Sequence, residues 1–332
     1  MAQSSRSQAS KKLSKISQAS KKLPEISQAW NQRPPALSGA QRVFHGPGEG
    51  ERELKQLTID RFNDHCWLTW SSDEKISPSL LQTIKEFLTE KEIRSAVLMN
   101  RPKKGALTNA EIILGEPPDL ITVTENEAKI IIKFKNVKHP GLFLDHEPLR
   151  RWLFANSKDL RVFNTFAYTG SLSVACGLGG AASVTSVDLS KTTNLWSIDN
   201  WKANDLDASK LECFSEDVFE LLPKMKKRNR SFQMIILDPP SFSRGKKGIF
   251  STEKDLGHLH ELALSLLEKG GTLVTSINSA NILRAEFRGI VEMAARAAKR
   301  SFQILHPIEL PSTFPTLEDK GRYLKGWCLK FD

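Results

Sequence analysis

An acid and two prolines follow a short apolar run in the segment Asp238-Pro239-Pro240-Ser241. Residues 234–237 before it are all apolar, which indicates a strand buried on both faces. Neither proline has an N–H to extend a sheet, and each restricts the residue before it, so the loop is rigid. The Asp238 carboxylate and the carbonyls of Asp238 and Pro239 are therefore held as acceptors at a strand end. They suit a planar, amino-bearing group such as a nucleobase edge; an ordinary strand-ending turn is the alternative.

Two other predicted strand ends also carry acids. Asp188 lies about twenty residues beyond the turn at 164–171, where an acid can accept hydrogen bonds from ribose hydroxyls. Asp217, next to Glu216, follows the third strand and can reach an adenine amino group. The turn lacks GxGxxG, which argues against a dinucleotide. Acids at successive strand ends suit a nucleoside without phosphates, as in S-adenosyl-L-methionine, although each acid alone could be a helix N-cap.

The elements that must position these acids alternate between strand and helix from residue 146 to the C-terminus. This alternation predicts an α/β fold with a doubly wound, Rossmann-like sheet. Only a loop separates the last two predicted strands, 302–308 and 323–329, which predicts an antiparallel C-terminal edge. Because open α/β sheets bind ligands beyond the carboxyl ends of their strands, we expect the acids to meet there.

The chain before residue 146 falls into two predicted parts. Residues 1–55 form a basic tail, in which a ten-residue pattern beginning Ser-Gln-Ala-Ser-Lys-Lys-Leu at Ser7 recurs at Ser17. Its Ser, Lys and Gln content predicts disorder. Residues 56–145 predict a small, β-rich α+β domain on the substrate side, and residues 146–332 the cofactor-binding domain.

Composition excludes several classes of function. The net charge is +10, of which residues 1–42 carry +7, with eight Lys/Arg against one acid. The folded part is therefore only weakly basic. The four cysteines are far apart and no His cluster has metal-ligand spacing, so neither a disulfide framework nor a metal site is expected. Without a long apolar span or signal peptide, a cytoplasmic protein is expected. The sequence leaves the oligomeric state open.

These motifs resemble class I S-adenosylmethionine-dependent methyltransferases of 23S ribosomal RNA, and within that family the K domain of the bacterial K/L guanine methyltransferase. The likeness covers roughly residues 95–330. The matching stretches are Gly141–His146, Asn164–Ser171, Gly177–Ala181, Ser186–Ser190 and Asp238–Ser243.

The resemblance implies a role for each matching residue. The implied cofactor residues are Asp145, Phe166, Tyr168, Thr169, Gly170, Asp188, Leu189, Ser190, Asn204, Glu216, Asp217, Val218 and Asp238. The implied catalytic loop is Asp238, Pro239, Pro240 and Ser241, and the implied RNA-binding residues are Phe242, Arg244, Lys246 and Lys247. Large-subunit rRNA is the implied partner.

One departure from the family pattern bears on the substrate. The cytosine-C5 branch of the family has Ser-Cys-Ser after the next strand, whereas this chain has Thr275-Ser276-Ile277-Asn278-Ser279. Without that nucleophile, a guanine nitrogen is the expected target. The alternatives are cytosine-C5 methylation, a methyltransferase acting on a non-RNA amine, and a noncatalytic RNA-binding protein with the same fold.

Overall fold

A computed structural model describes residues 21–33, 39–102, 110–245, 248–279, 281–316 and 323–332, with the backbone alone for 242–245 and 248–254. The chain divides into two compact units. The N-terminal unit comprises the chain up to Asn126, Ile132–Leu144 and a short segment from Ser312. The C-terminal unit comprises Glu127–Ile131, Asp145–Pro311 and the C-terminal segment.

A five-stranded sheet of order β1-β2-β3-β4-β5 forms the N-terminal unit. Its elements are α1 (Pro24–Gln32), β1 (Ala40–His45), α2 (Gly46–Glu49), β2 (Leu57–Phe62), β3 (His65–Trp70), α3 (Pro78–Glu90), β4 (Ser95–Asn100), β5 (Glu111–Leu114) and β6 (Leu120–Glu125). The next strand, β7 (Ala128–Lys133), belongs to the C-terminal unit up to Ile131. Neighbouring strands are antiparallel except β3 and β4, which are parallel and connected through α3. Ser77 caps α3 by accepting a hydrogen bond from Leu80 N at 3.3 Å.

The second half of the predicted disordered tail is folded, so that prediction is wrong for residues 24–32 and 40–55. Helix α1 buries Ile26 and Ala29, and β1 pairs with β2 as the edge strand of the sheet. The reason is periodicity: Leu23, Ile26 and Ala29 recur every three residues and form an apolar stripe that packs into the unit's core. Averaged composition concealed this stripe. The repeat at residues 7–16 lies outside the described residues.

The C-terminal unit contains a seven-stranded sheet of order β10-β9-β8-β11-β14-β16-β15. Its elements are α4 (Glu147–Asn156), β8 (Arg161–Thr165), α5 (Ser171–Leu178), β9 (Ser183–Asp188), α6 (Lys191–Ala203), β10 (Leu211–Ser215), α7 (Val218–Lys227), β11 (Phe232–Leu237), β12 (Phe242–Gly245), β13 (Gly248–Ser251), α8 (Thr252–Leu264), β14 (Leu267–Asn278), α9 (Arg284–Ala297), β15 (Phe302–Ile308) and β16 (Leu324–Phe331). The five strands from β10 to β14 are parallel, whereas β16 and β15 are antiparallel. The predicted doubly wound sheet with an antiparallel C-terminal edge is confirmed.

Strand β11 shows why the sheet is covered on both faces. Ile235 and Leu237 belong to one buried cluster, whereas Met234 and Ile236 belong to another. Because successive side chains of a strand point to opposite faces, the two clusters lie on the two sides of the sheet. The uninterrupted apolar run therefore places β11 at the centre of the unit.

The chain after Ser241 contains a two-stranded hairpin that the sequence analysis did not predict. Strand β12 pairs antiparallel with β13, and Arg244 lies opposite Ile249 in that hairpin. Among the described helices, none is long and apolar enough to cross a membrane.

Candidate active site

The parallel strands of the C-terminal unit end in register. Paired residues form one row across four strands: Val187, Thr165, Leu237 and Thr275. The next residue along each strand therefore lies at the same edge of the sheet, and these residues are Asp188, Phe166, Asp238 and Ser276. We call these four residues the carboxyl edge. Neighbouring strands lie about 4.8 Å apart, so about 10 Å separates Asp188 from Asp238, two strands away.

The loop after β8 is strained. Phe166 and Tyr168 have φ values of 52° and 49°, and Gly170 has 76°. A left-handed conformation costs a non-glycine residue about 1–2 kcal/mol, and it persists only where neighbouring contacts impose it. Ala167 N donates to Val187 O at 2.9 Å and Tyr168 N donates to Asp188 Oδ2 at 3.0 Å. The loop is therefore tied to the end of β9.

Asp188 connects this loop to helix α6. Besides Tyr168 N, its carboxylate accepts hydrogen bonds at Oδ1 from Ser190 N and Thr193 Oγ1, both at 2.9 Å. Ser190 caps the same helix, and the neighbouring Leu189 is 46% exposed. A carboxylate has about four lone-pair positions, so Oδ2 retains capacity for one more donor. Asp188 can thus act as a structural cap and still accept a ribose hydroxyl.

Helix α6 holds the strained loop through hydrogen bonds and packing. The sequence analysis did not predict these contacts. The buried Asn200 donates from Nδ2 to Thr169 O at 2.8 Å and accepts at Oδ1 from Ile131 N at 2.8 Å. A Cβ at Gly170 would lie 2.0 Å from Ser197 Oγ, so the loop backbone contacts this helix directly. Trp196, Asn200 and Asn204 are spaced four residues apart, and this spacing could have predicted that they share one face of the helix.

Asn204 does not belong to the cofactor site, and its assignment there is wrong. It is the C-cap of α6, whereas Ser190 caps the N-terminus of this 13-residue helix. A helix of that length spans about 20 Å. The Asn204 amide is engaged by β7: Oδ1 accepts from Lys129 N and Nδ2 donates to Lys129 O, both at 2.7 Å. Asn204 therefore anchors β7.

The acids after β10 have different surroundings. Asp217 is the N-cap of α7 and accepts at Oδ1 from Phe219 N at 2.9 Å. Among the described hydrogen bonds, only the one from Phe219 N reaches the Asp217 carboxylate, so Oδ2 can accept an adenine amino group. Glu216 forms an ion pair with Lys224. Val218 is 4% exposed and lies in the core, so its side chain serves packing.

The Asp-Pro-Pro-Ser loop is held by strand β14. Ser276 Oγ donates to Asp238 Oδ1 at 2.5 Å, and Ser241 Oγ donates to Asn278 O at 2.6 Å. Pro239 is buried and Pro240 is exposed. Two hydroxyls therefore fasten both ends of the loop and leave part of the Asp238 carboxylate accessible, with 25% of the side chain exposed.

A histidine that the sequence analysis did not single out lies beside this loop. His146 Nε2 is 3.1 Å from Asp238 Oδ2 in an ionic contact, and His146 Nδ1 is 3.3 Å from Asp145 Oδ1. Tyr323 Oη donates to the other Asp145 oxygen at 2.9 Å. Burial lowers the pKa of His146, but the two carboxylates, above all Asp238, outweigh it and raise the pKa to about 10.

The predicted RNA-binding residues stay predictions. Phe242 and Arg244 lie on β12, of which only the backbone is described, and Lys246 and Lys247 lie outside the described residues. No group of three or more His, Cys, Asp or Glu suited to a metal ion occurs within the described ranges.

Comparisons with known proteins place this geometry in context. Residues 41–328 match the model of a family described as S-adenosylmethionine-dependent methyltransferase. The chain is 35% identical over 291 residues to the ribosomal RNA large subunit methyltransferase I of Tolumonas auensis, covering 83% of this chain and 72% of that protein. A Streptococcus mutans protein assigned as a SAM-dependent methyltransferase has a similar structure (TM-score 0.79, 26% identity, 92% of this chain and 78% of that one). A second solved structure, of a protein assigned as a methyltransferase and complexed with SAH, has a TM-score of 0.78 at 25% identity, and the match covers 97% of this chain and 81% of that one.

The carboxyl edge fits S-adenosylmethionine. Asp188 Oδ2 and Asp217 Oδ2 each retain capacity to accept a hydrogen bond, as the ribose hydroxyls and the adenine amino group require. Glycine at position 170 lets the strained turn pack directly against Ser197 of helix α6, which holds the loop beside Asp188. The Asp188 and Asp217 carboxylates could therefore accept hydrogen bonds from the ribose and the adenine of the cofactor.

Proposed function

Because the chain belongs to the S-adenosylmethionine-dependent methyltransferase family, we propose that it methylates a guanine nitrogen of large-subunit (23S) ribosomal RNA. The names of the relatives support RNA as the substrate class, since the Tolumonas auensis protein is a ribosomal RNA large subunit methyltransferase. The choice of nitrogen rests on the chain's own residues at the carboxyl edge.

Methyl transfer needs little covalent chemistry from the protein. When bound, the cofactor would supply a methyl group on a sulfonium that is already activated for attack by a nitrogen lone pair: the nitrogen–methyl bond would form as the methyl–sulfur bond breaks, S-adenosylhomocysteine would leave, and the amino group would lose one proton to solvent. The protein must orient that lone pair and exclude water. The Asp238 carboxylate and the Pro239 carbonyl are acceptors that can bind the hydrogens of an amino group and so aim its lone pair.

The observation that carries the choice of nitrogen is the absence of a thiol from the carboxyl edge. Carbon methylation of cytosine uses a cysteine thiolate as nucleophile. At the end of β14 this chain has Ser276, whose hydroxyl is hydrogen-bonded to Asp238. Cys213 and Cys328 lie within strands β10 and β16, and burial raises the pKa of both thiols. Burial likewise raises the pKa of Cys66 and Cys176, so every thiol is held protonated.

Mass spectrometry of 23S rRNA nucleosides tests this function. We expect a deletion strain to lack one methylated guanosine, which a plasmid with the wild-type sequence restores. Loss of 5-methylcytidine instead would replace the proposal with cytosine-C5 methylation. Unchanged rRNA, together with thermal stabilisation of the protein by S-adenosylmethionine, would indicate a different acceptor such as a non-RNA amine.

Substitution of Asp238 tests methyl transfer separately from cofactor binding. Asp238→Ala removes the acceptor, so transfer is expected to fall by at least about 10²-fold, the cost of misplacing a reacting group. Thermal stabilisation by S-adenosylmethionine is expected to remain measurable. The matched control is Asp207→Ala, an exposed acid whose carboxylate accepts described hydrogen bonds from Ser209 alone; its backbone carbonyl, which Trp201 Nε1 contacts, is kept in the variant. Full activity of Asp238→Ala would contradict the role.

A further inference from the structure

His146 is the described residue of the C-terminal unit that faces carboxylates with both ring nitrogens. Nδ1 lies 3.3 Å from Asp145 Oδ1 and Nε2 lies 3.1 Å from Asp238 Oδ2. Asp145 and His146 are 6% and 5% exposed, so water screens these contacts poorly.

This geometry determines the protonation state. A neutral imidazole has one N–H and one lone pair, so one of its nitrogens would direct a lone pair at a carboxylate. An imidazolium has an N–H at each nitrogen and attracts both acids. Without a cation, the two carboxylates would repel each other across the ring, and the low exposure of Asp145 leaves this repulsion poorly screened.

We propose that His146 is a positioning residue of the methyl-transfer site: an imidazolium that links Asp145 to Asp238 and holds the Asp238 carboxylate in one orientation. The proposal rests on the function proposed above. Asp238 Oδ1 accepts a hydrogen bond from Ser276 Oγ, and Oδ2 lies 3.1 Å from His146 Nε2 in an ionic contact, so each carboxylate oxygen has a partner. An acceptor held in this way meets the substrate without reorganising.

The surrounding groups support a single arrangement. Asp145 precedes the ring in the chain, Asp238 follows β11, and Tyr323, which precedes β16, donates to Asp145 Oδ2. Burial opposes the charge on His146, but the two carboxylates outweigh it and raise the pKa to about 10. The ring therefore stays protonated throughout the neutral range.

A second buried histidine provides a matched control. His260, on α8, contacts Leu256 O through Nδ1 at 2.7 Å and Thr275 Oγ1 through Nε2 at 2.8 Å. These partners are neutral, and burial lowers the pKa of His260 to about 4. Both histidines are buried in the same unit, so they differ mainly in the charge of their partners.

Nitrogen-15 NMR of the full-length protein with labelled histidine tests the ionisation directly. At pH 7.5 we expect imidazolium signals at both nitrogens of His146 and one unprotonated nitrogen at His260. His146→Gln and His260→Gln assign the signals. Asp145→Asn, which keeps the ring but removes one carboxylate, is expected to lower the pKa of His146. A neutral His146 in the wild type, or an unchanged titration in Asp145→Asn, would overturn the proposal.

A double-mutant cycle tests whether His146 acts through Asp238. His146→Gln is expected to reduce kcat by about 10²-fold, the cost of a misplaced reacting group, while KM for S-adenosylmethionine changes little. Because residues that act as a unit are not additive, His146→Gln in an Asp238→Asn background is expected to cost little more than Asp238→Asn alone. His260→Gln should lower the melting temperature and leave kcat unchanged.

Other outcomes count against the proposal. Losses that multiply in the double variant, or full kcat in His146→Gln, would indicate a role in packing alone. If the wild type binds S-adenosylmethionine but methylates no rRNA, the proposed function fails. The NMR measurement would then still show whether His146 is the bridging imidazolium, so the two failures are distinguishable.

Discussion

Single atoms decide how closely the loop after β8 packs against helix α6. Gly170 has a φ of 76°, and a Cβ there would lie 2.0 Å from Ser197 Oγ and 2.8 Å from Ser197 Cβ. Both the backbone conformation and the space therefore require glycine. Since Tyr168 N in the same turn donates to Asp188 Oδ2, a displaced turn also disturbs the acid that is assigned to the ribose.

Two glycine substitutions are therefore expected to have opposite effects. Gly170→Ala should lower the free energy of unfolding by about 1–3 kcal/mol, the usual cost of a strained or overpacked position, and weaken S-adenosylmethionine binding. Gly289→Ala, in α9 with nothing within 4 Å of the added Cβ, should raise the free energy of unfolding by about 0.5–1 kcal/mol. Urea denaturation measures the free energy of unfolding of each variant, and calorimetric titration measures its affinity for S-adenosylmethionine. Wild-type cofactor affinity in Gly170→Ala would contradict this role for the turn.

At the scale of elements, helix α6 joins the cofactor loop to strand β7. Trp196 donates from Nε1 to Ile131 O at 3.0 Å, and Asn200 accepts from Ile131 N. One helical turn further, Asn204 exchanges two hydrogen bonds with Lys129. Because residues four apart share a helix face, one face of α6 hydrogen-bonds the backbone N–H and C=O groups of β7. Asn200 alone among them also binds Thr169 O.

This difference makes Asn200 and Asn204 a matched pair. Either one changed to Ala leaves β7 backbone groups without their partner, at a cost of about 1–3 kcal/mol in the free energy of unfolding. Only Asn200→Ala also leaves Thr169 O without this hydrogen bond, so we expect it to weaken S-adenosylmethionine binding in calorimetric titration. The Asn204→Ala variant should bind S-adenosylmethionine with the affinity of the wild type. Equal affinities in the two variants would show that the loop does not depend on α6.

At the scale of the whole molecule, two buried histidines make stability depend on pH in opposite directions. A histidine in the unfolded chain has a pKa of about 6.5. Burial lowers the pKa of His260 to about 4, so below pH 6.5 the unfolded state binds the additional proton and stability falls as pH falls. The raised pKa of His146, about 10, means that stability falls as pH rises from 6.5 towards that value.

Each histidine is therefore expected to contribute up to about 1.4 kcal/mol per pH unit to the slope of stability within its own window. Urea denaturation at a series of pH values measures these slopes. His260→Gln should flatten the pH dependence of the free energy of unfolding between about pH 4.5 and 6.5. His146→Gln should flatten it between about pH 7 and 9. Wild-type slopes in both variants would mean that neither ring has a shifted pKa. A flattening in the wrong window would assign the ionisations to the opposite residues.

The sequence alone determined the alternation of strands and helices in the C-terminal unit, apart from the β12–β13 hairpin, and the acids at three of its strand ends. These depend on local signals: an apolar run before Asp238, prolines that stop a strand, and the acids Asp188 and Asp217 in the loops after β9 and β10. Since parallel strands end at one edge, Asp188, Asp217 and Asp238 could be assigned to one site without coordinates.

Only the tertiary structure decided which side chains support that site. Asn204 was assigned to the cofactor because its distance along α6 is not visible in a motif, whereas Asn200 and His146 were missed because their partners are distant in sequence. Asn200 lies 31 residues from Thr169. Asp238 lies 92 residues after His146. Helix α1 was missed for a different reason: the averaged composition of the tail concealed the apolar periodicity of Leu23, Ile26 and Ala29. Local patterns carry propensity and periodicity, but hydrogen-bond partners and ionisation are properties of the packed chain.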